Sequence, residues 1–112
     1  MKIPNKELLL MNFQNNPVAY GCKWEAYEGK KNNGKKRFKT NIGSVDIKII
    51  YNLSEDEWTY KSKILDIQET YMEKGISPQQ AAEYAVLECK AKLFYLIEKL
   101  MAANNAFFQK GY

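Results

Sequence analysis

The sequence predicts an α+β protein, in which a four-stranded antiparallel meander carries helices packed on one face. Between residues 18 and 64, apolar and polar side chains alternate with the period of two that is typical of half-buried strands. After residue 76 the apolar period changes to that of a long helix. With 112 residues, the chain is long enough to form a single domain, residues 1–112, around one core.

Each element is predicted from its own segment. A short N-terminal helix is expected over residues 5–14, because Pro17 disfavours helical geometry just before it. The four strands are expected over residues 18–28, 37–41, 44–53 and 58–64, since only short turns separate them. A second short helix is predicted over residues 66–74, with Gly75 as its C-terminal stop.

The start of the last helix is the clearest local signal. Ser77 is a typical N-cap, Pro78 occupies the first helical position, and Gln80 completes a capping box. From this start we expect a helix to about residue 103, roughly 26 residues or ~39 Å long. Residues 104–112 are expected to form a C-terminal aromatic tail.

Two apolar stripes run along the predicted last helix. One is expected to lie on the sheet and comprises Ala82, Ala85, Val86, Cys89, Leu93, Leu96, Ile97 and Leu100. The other lies on nearly the opposite side and comprises Tyr84, Leu87, Ala91, Phe94 and Met101. This second stripe is either covered by the N-terminal helix or the aromatic tail, or it is an interface for a second copy or a host protein.

A cluster of cations lies in the stretch GKKNNGKKRFK, residues 29–39. It holds six cations and no acid, whereas the net charge of the whole chain is only +4, so the rest is slightly acidic. Residues 29–37 are expected to form a flexible basic hairpin loop. Its cations are Lys30, Lys31, Lys35, Lys36, Arg37 and Lys39.

The residues that usually carry catalysis are scarce. The chain has no histidine, which removes the commonest general base and metal ligand. Cys22 and Cys89 stand far apart, and Asp46 is expected to take part in cross-strand ion pairing. We therefore expect a non-enzymatic protein without catalytic residues, metal or cofactor. Because no apolar segment approaches the ~20 residues of a membrane span, a cytoplasmic protein is expected.

The predicted function is binding to a nucleic-acid backbone through the basic hairpin, with a merely solvated hairpin tip as the structural alternative. Phosphate neutralisation by lysines provides affinity at low salt. Lysine dominates over arginine here, which favours contacts that do not depend on base sequence.

The alternative function is protein binding. The many Asn, Ile and Tyr residues and the single arginine are typical of a low-GC bacterium or one of its phages. As a small single domain without a catalytic constellation, the chain resembles phage-encoded inhibitors of host defence systems. That resemblance implies an inhibitor or adaptor, for example of a defence nuclease or another nucleic-acid enzyme.

Overall fold

The fold is known from a computed structural model that describes residues 6–29 and 34–111. It combines antiparallel sheets with a long C-terminal helix, as the sequence predicts. In chain order, the described elements are α1 (Lys6–Asn15), β1 (Val18–Ala19), β2 (Cys22–Lys23), β3 (Glu25–Tyr27), β4 (Lys35–Ile42), β5 (Val45–Asn52), β6 (Glu57–Ser62), β7 (Ile67–Tyr71) and α2 (Pro78–Lys110).

The main sheet is an antiparallel meander of five strands in the order β3-β4-β5-β6-β7, not of four. Its central strand, β5, and its neighbour β6 follow the predicted alternation closely. The strand β4 begins at Lys35, two residues before the expected returning strand. Lys35 and Lys36, expected in the hairpin loop, therefore belong to the sheet, whereas Lys30 and Lys31 lie outside the described residues.

The single long strand predicted over residues 18–28 is wrong. Tyr20 and Gly21 both have positive φ angles, 51° and 72°, which make a two-residue hairpin turn between β1 and β2. This ribbon forms a separate two-stranded sheet, and only β3 joins the main sheet. Alternation of side chains cannot reveal such a turn, because a tight hairpin preserves a period of two on either side.

The short helix predicted over residues 66–74 is also wrong. Residues 67–71 form β7, which pairs with β6 at the edge of the sheet. Its side chains from Gln68 to Tyr71 are exposed, so it lacks the alternation by which a strand is recognised. Gly75 does adopt the left-handed geometry expected of it, with φ 74°, but in the turn before α2.

One face of the main sheet carries both helices. Phe13 of α1 packs edge-on against Phe38 of β4, with ring centroids 4.8 Å apart. The sheet's own core side chains include Ile47, Ile49 and Trp58, all at most 1% exposed. From α2, only the first turns enter the core, through Pro78, Ala81, Ala82, Ala85, Val86 and Cys89.

The helix α2 begins as predicted and ends later. Ser77 Oγ accepts a hydrogen bond from Gln80 N–H, and the Gln80 side chain accepts one from Ser77 N–H, at 3.1 and 2.9 Å. The helix then runs for 33 residues, about 50 Å, to a left-handed cap at Gly111. Residues 104–110 are thus helical rather than a tail. Because the sheet is shorter than the helix, the part after Leu96 projects beyond it.

Asp46 has a different role from the expected ion pairing. Its carboxylate accepts hydrogen bonds from the backbone N–H groups of Lys63 and Ile64, at 2.8 and 2.9 Å, and so holds the turn between β6 and β7. Burial acts to raise the pKa of Asp46, but these N–H groups and the Ser62 hydroxyl outweigh it and lower the pKa below its ordinary value.

Because the folded pKa of Asp46 is lowered, its stabilising effect should be complete above the ordinary aspartate pKa of about 3.9. We expect it to be lost as the pH falls through the lower, folded pKa. Thermal unfolding of the wild type and of Asp46→Asn should therefore differ at pH 7 and converge in acid. Asp66→Asn, in the same turn, is the control and should follow the wild type. A constant difference between wild type and Asp46→Asn at all pH values would contradict this role.

Candidate nucleic-acid interface

The candidate site is the face of the main sheet that carries no helix, named here the open face. Pairing register assigns its side chains, since directly opposed residues of neighbouring strands point the same way. One row across all five strands is Tyr27, Arg37, Ile50, Thr59 and Tyr71. The adjacent row is Glu25, Lys39, Lys48 and Lys61.

Three lysines lie side by side in the second row. Lys39 of β4 is directly opposite Lys48 of β5, and Lys48 is directly opposite Lys61 of β6. Neighbouring strands are about 4.8 Å apart, so the three side chains start within roughly 10 Å of one another. Like charges directly opposite each other destabilise a sheet. This row therefore concentrates positive potential at a cost to folding.

Tyr27 lies beside these lysines. The Lys39 and Lys48 ammonium nitrogens are 5.6 and 5.7 Å from its ring centroid, which is within range of a cation–π attraction. Burial raises the pKa of Tyr27, with the nearby Arg37 guanidinium opposing this shift and Glu69 adding to it. An aromatic ring thus lies among three cations near one edge of the open face.

The centre of the open face is closely covered. Ile50 and Thr59 are only 4% and 5% exposed, although neither belongs to the core between the sheet and the helices. The Thr59 hydroxyl oxygen has no hydrogen-bond partner among the residues that the structure describes.

Acidic residues lie at the borders of the open face. Glu25 on β3 is opposite Lys39, and Glu57 on β6 is opposite Asn52. Lys35 adds a further cation on β4, opposite Asn52.

Acids also adjoin the lysine row itself, because Asp46, Asp66 and Glu69 line the same shallow depression as Lys48 and Lys61. These acids limit where an anionic ligand could lie.

The structure divides the predicted basic set. Lys35, Arg37 and Lys39 share the open face, but Lys36, which is opposite Tyr51, points to the helical side. Sequence reasoning identified Tyr27 as an aromatic residue next to the cations, but it missed Lys48 and Lys61 as members of the site. The alternation of each strand placed these residues on polar faces, but only the register between strands shows that the faces coincide.

The predicted protein interface, named here the second stripe, remains largely uncovered. Leu87, Phe94 and Met101 are 43%, 59% and 60% exposed, and Ala91 is exposed as well. Tyr84 is partly engaged, because its ring meets the Tyr60 ring edge-on at 5.8 Å. Within the residues that the structure describes, neither α1 nor a C-terminal tail covers this stripe.

Two further features bear on the class of function. Neither described helix is both long enough and apolar enough to cross a membrane. Over the same residues, no group of His, Cys, Asp and Glu side chains could hold a metal ion. Comparison with protein families, with curated proteins and with solved structures found no match for this chain.

Proposed function

We propose that this protein binds the phosphate backbone of nucleic acid on the open face of its sheet. The row Lys39, Lys48 and Lys61 is the observation that carries the proposal. The repulsion within this row is relieved when phosphates lie over it, and each phosphate contact also releases condensed counterions. The Tyr27 ring offsets part of the repulsion in the free protein, because its face attracts two of the ammonium groups.

Single-stranded nucleic acid is the ligand that fits this face best. Bases of a single strand stack on exposed aromatic rings while cations hold the backbone. Tyr71 is 69% exposed at one edge of the face, and Tyr27 lies near the other edge, roughly 19 Å away across five strands. Since lysines supply most of the charge, we expect little dependence on base sequence.

Binding should be measured by fluorescence anisotropy with a labelled oligothymidine at several salt concentrations. On single strands, the logarithm of affinity falls with the logarithm of salt by about 0.7 per phosphate contacted. The Lys39→Gln, Lys61→Gln variant should bind more weakly and lose about 1.4 from that slope. The control, Lys23→Gln, Lys92→Gln, removes the same charge at sites outside the open face and should leave the slope unchanged.

Two results would overturn the proposal. One is the absence of binding at ~50 mM salt, where phosphate contacts are strong. The other is an equal loss of affinity in both variants, which would indicate that net charge alone matters and not its position on the open face.

A second candidate function is protein binding by the second stripe, as in a phage-borne inhibitor of a host defence nuclease. Leu87, Phe94, Met101 and Phe108 recur every seven residues, and Phe108 is 78% exposed. A helical ridge of this kind is typical of docking on another protein. The test is phage plating on a bacterium that carries a defence nuclease, with the protein expressed. Restored plating that is lost in Phe94→Glu, Met101→Glu would support this function; unrestored plating would oppose it for that nuclease.

A further inference from the structure

The projecting half of α2 gives the protein an unusually extended surface. Its radius of gyration is 17.2 Å, against about 13 Å for a compact chain of this length. Its solvent-accessible surface is 8262 Å², against about 6,300 Å² for a compact monomer of the same mass. A stable interface takes about 800 Å² from each partner, so the excess surface is large enough for one.

A regular apolar repeat connects the core with the projecting half. Val86, Cys89, Leu93, Leu96, Leu100, Ala103 and Phe107 follow one another at alternating intervals of three and four residues, and are named here the heptad stripe. This is the spacing of a helix–helix seam. The core buries Val86 and Cys89 and partly covers Leu96, whereas Leu100 and Phe107 are 68% and 58% exposed.

A groove marks the point where the sheet ends and the helix continues. It holds about 150 Å³ between the β4–β5 turn and α2, and is lined by Ile42, Val45, Ile47, Val86, Cys89, Lys90 and Leu93. Apart from the Lys90 ammonium group, these lining side chains carry no charge. The groove is open to solvent on one side, and its walls are apolar, so an apolar side chain is the occupant that they favour.

We propose that a second copy of this chain pairs with the heptad stripe, as an antiparallel two-fold dimer with its axis beside residue 98. This register places Leu96 opposite Leu100 of the second copy. It also places Leu93 opposite Ala103, and Cys89 opposite Phe107. Each large side chain then faces a small one, or two leucines meet, which is the arrangement that fills a core without voids.

The same register explains the groove. Each Phe107 ring reaches the level of Cys89 in the other copy, beside the apolar groove. The second helix packs 8–10 Å from α2, on the side of α2 that faces the sheet and beyond the end of that sheet. The two-fold axis beside residue 98 makes the helix–helix contact symmetric over residues 90–106, ~24 Å. The last helical residues, Phe107 to Lys110, then lie against the sheet of the other copy and add to this contact.

This dimer does not depend on nucleic-acid binding by the open face, and it leaves the second stripe exposed. The two exposed surfaces of the projecting helix can therefore be separated by substitution. Leu100 lies on the heptad stripe and Phe94 on the second stripe, and they are similarly exposed in the single chain, at 68% and 59%.

Sedimentation equilibrium of the full chain tests the proposal. The wild type should sediment at twice the 13.0 kDa of one chain. Leu100→Glu should raise the dimer dissociation constant about 100-fold or more, because both copies lose an apolar contact at the centre of the interface. Phe94→Glu introduces the same charge on the same helix and should remain dimeric.

Cross-linking tests the antiparallel register. In a Cys22→Ser, Cys89→Ala background, Leu96→Cys and an affinity-tagged Leu100→Cys chain should form the mixed disulfide when combined. Self-linked products from each variant alone would instead indicate a parallel pair and would overturn this register.

Other outcomes also overturn the dimer. One is a wild type that is monomeric at ~100 μM. The other is a wild-type dimer that dissociates in the Phe94→Glu variant but persists in the Leu100→Glu variant. Circular dichroism of both variants shows whether each variant is folded. If Leu100→Glu unfolds, the milder Leu100→Ala should still weaken the dimer more than Phe94→Ala does, and an equal effect of the two would count against the proposal.

Discussion

Replacing Trp58 with alanine is expected to lower the free energy of unfolding by about 3–5 kcal/mol, a large part of the 5–15 kcal/mol of a typical domain. Trp58 is 1% exposed, and its ring lies 4.8 Å from that of Tyr51 and 6.4 Å from that of Phe38. Strands β4, β5 and β6 and both helices meet around these three rings. The surrounding side chains therefore have little freedom to move into the cavity that removal of the indole would leave.

Urea denaturation followed by circular dichroism, at one fixed protein concentration, measures this loss. Fixing the concentration matters because dimerisation makes apparent stability concentration-dependent. Tyr71→Ala is the matched control, since it removes another aromatic side chain from the same sheet at a site that is 69% exposed. It should change the free energy of unfolding by less than about 0.5 kcal/mol. Similar losses in the two variants would show that Trp58 does not hold the core together.

Replacing Lys48 with glutamine is expected to have opposite effects on folding and on binding. Lys48 is the middle lysine of its row, between Lys39 and Lys61, so its removal relieves both unfavourable pairs. We expect the free energy of unfolding to rise by up to about 1 kcal/mol at low salt. Affinity for oligothymidine should fall several-fold, with the salt slope reduced by about 0.7.

Thermal unfolding and anisotropy on the same samples measure the two effects. Adding salt should shrink the gain in stability, because it screens the repulsion. Lys23→Gln, an exposed lysine of β2 outside the row, is the control and should change neither quantity much. A Lys48→Gln variant that is both less stable and weaker in binding would contradict this prediction. Lys48 would then stabilise the fold, and the lysine row would not trade stability for affinity.

Residues 66–74 show that the local sequence pattern does not always predict the secondary structure. The segment is rich in residues that favour helices, and it has no alternation, yet residues 67–71 form an edge strand. Pairing with β6 decides this, since the ladder of backbone hydrogen bonds between β6 and β7 is a tertiary interaction that the segment's own side-chain pattern does not report. Intrinsic preferences of a few tenths of a kcal/mol per residue are too weak to compete with such pairing.

The basic site was only partly predictable for a related reason. The alternation of side chains along β4 and β5 is visible in the sequence, and so are the cations of β4. Strand register is a tertiary property, however, and it alone places Lys39, Lys48 and Lys61 side by side. Lys36 points to the opposite face because it belongs to β4, where side chains alternate, and not to the hairpin loop.

The sequence is sufficient to predict structure that depends on a few neighbouring residues, such as the start of a helix or the face of a strand. Ser77, Pro78 and Gln80 start α2 because a capping box satisfies backbone groups locally. The alternation of β5 and β6 likewise fixes which side chains face the core. Tertiary structure alone decided how far the sheet extends under α2. Since the core extends only as far as Leu96, the same apolar stripe is core at its start and exposed surface at Leu100 and Phe107.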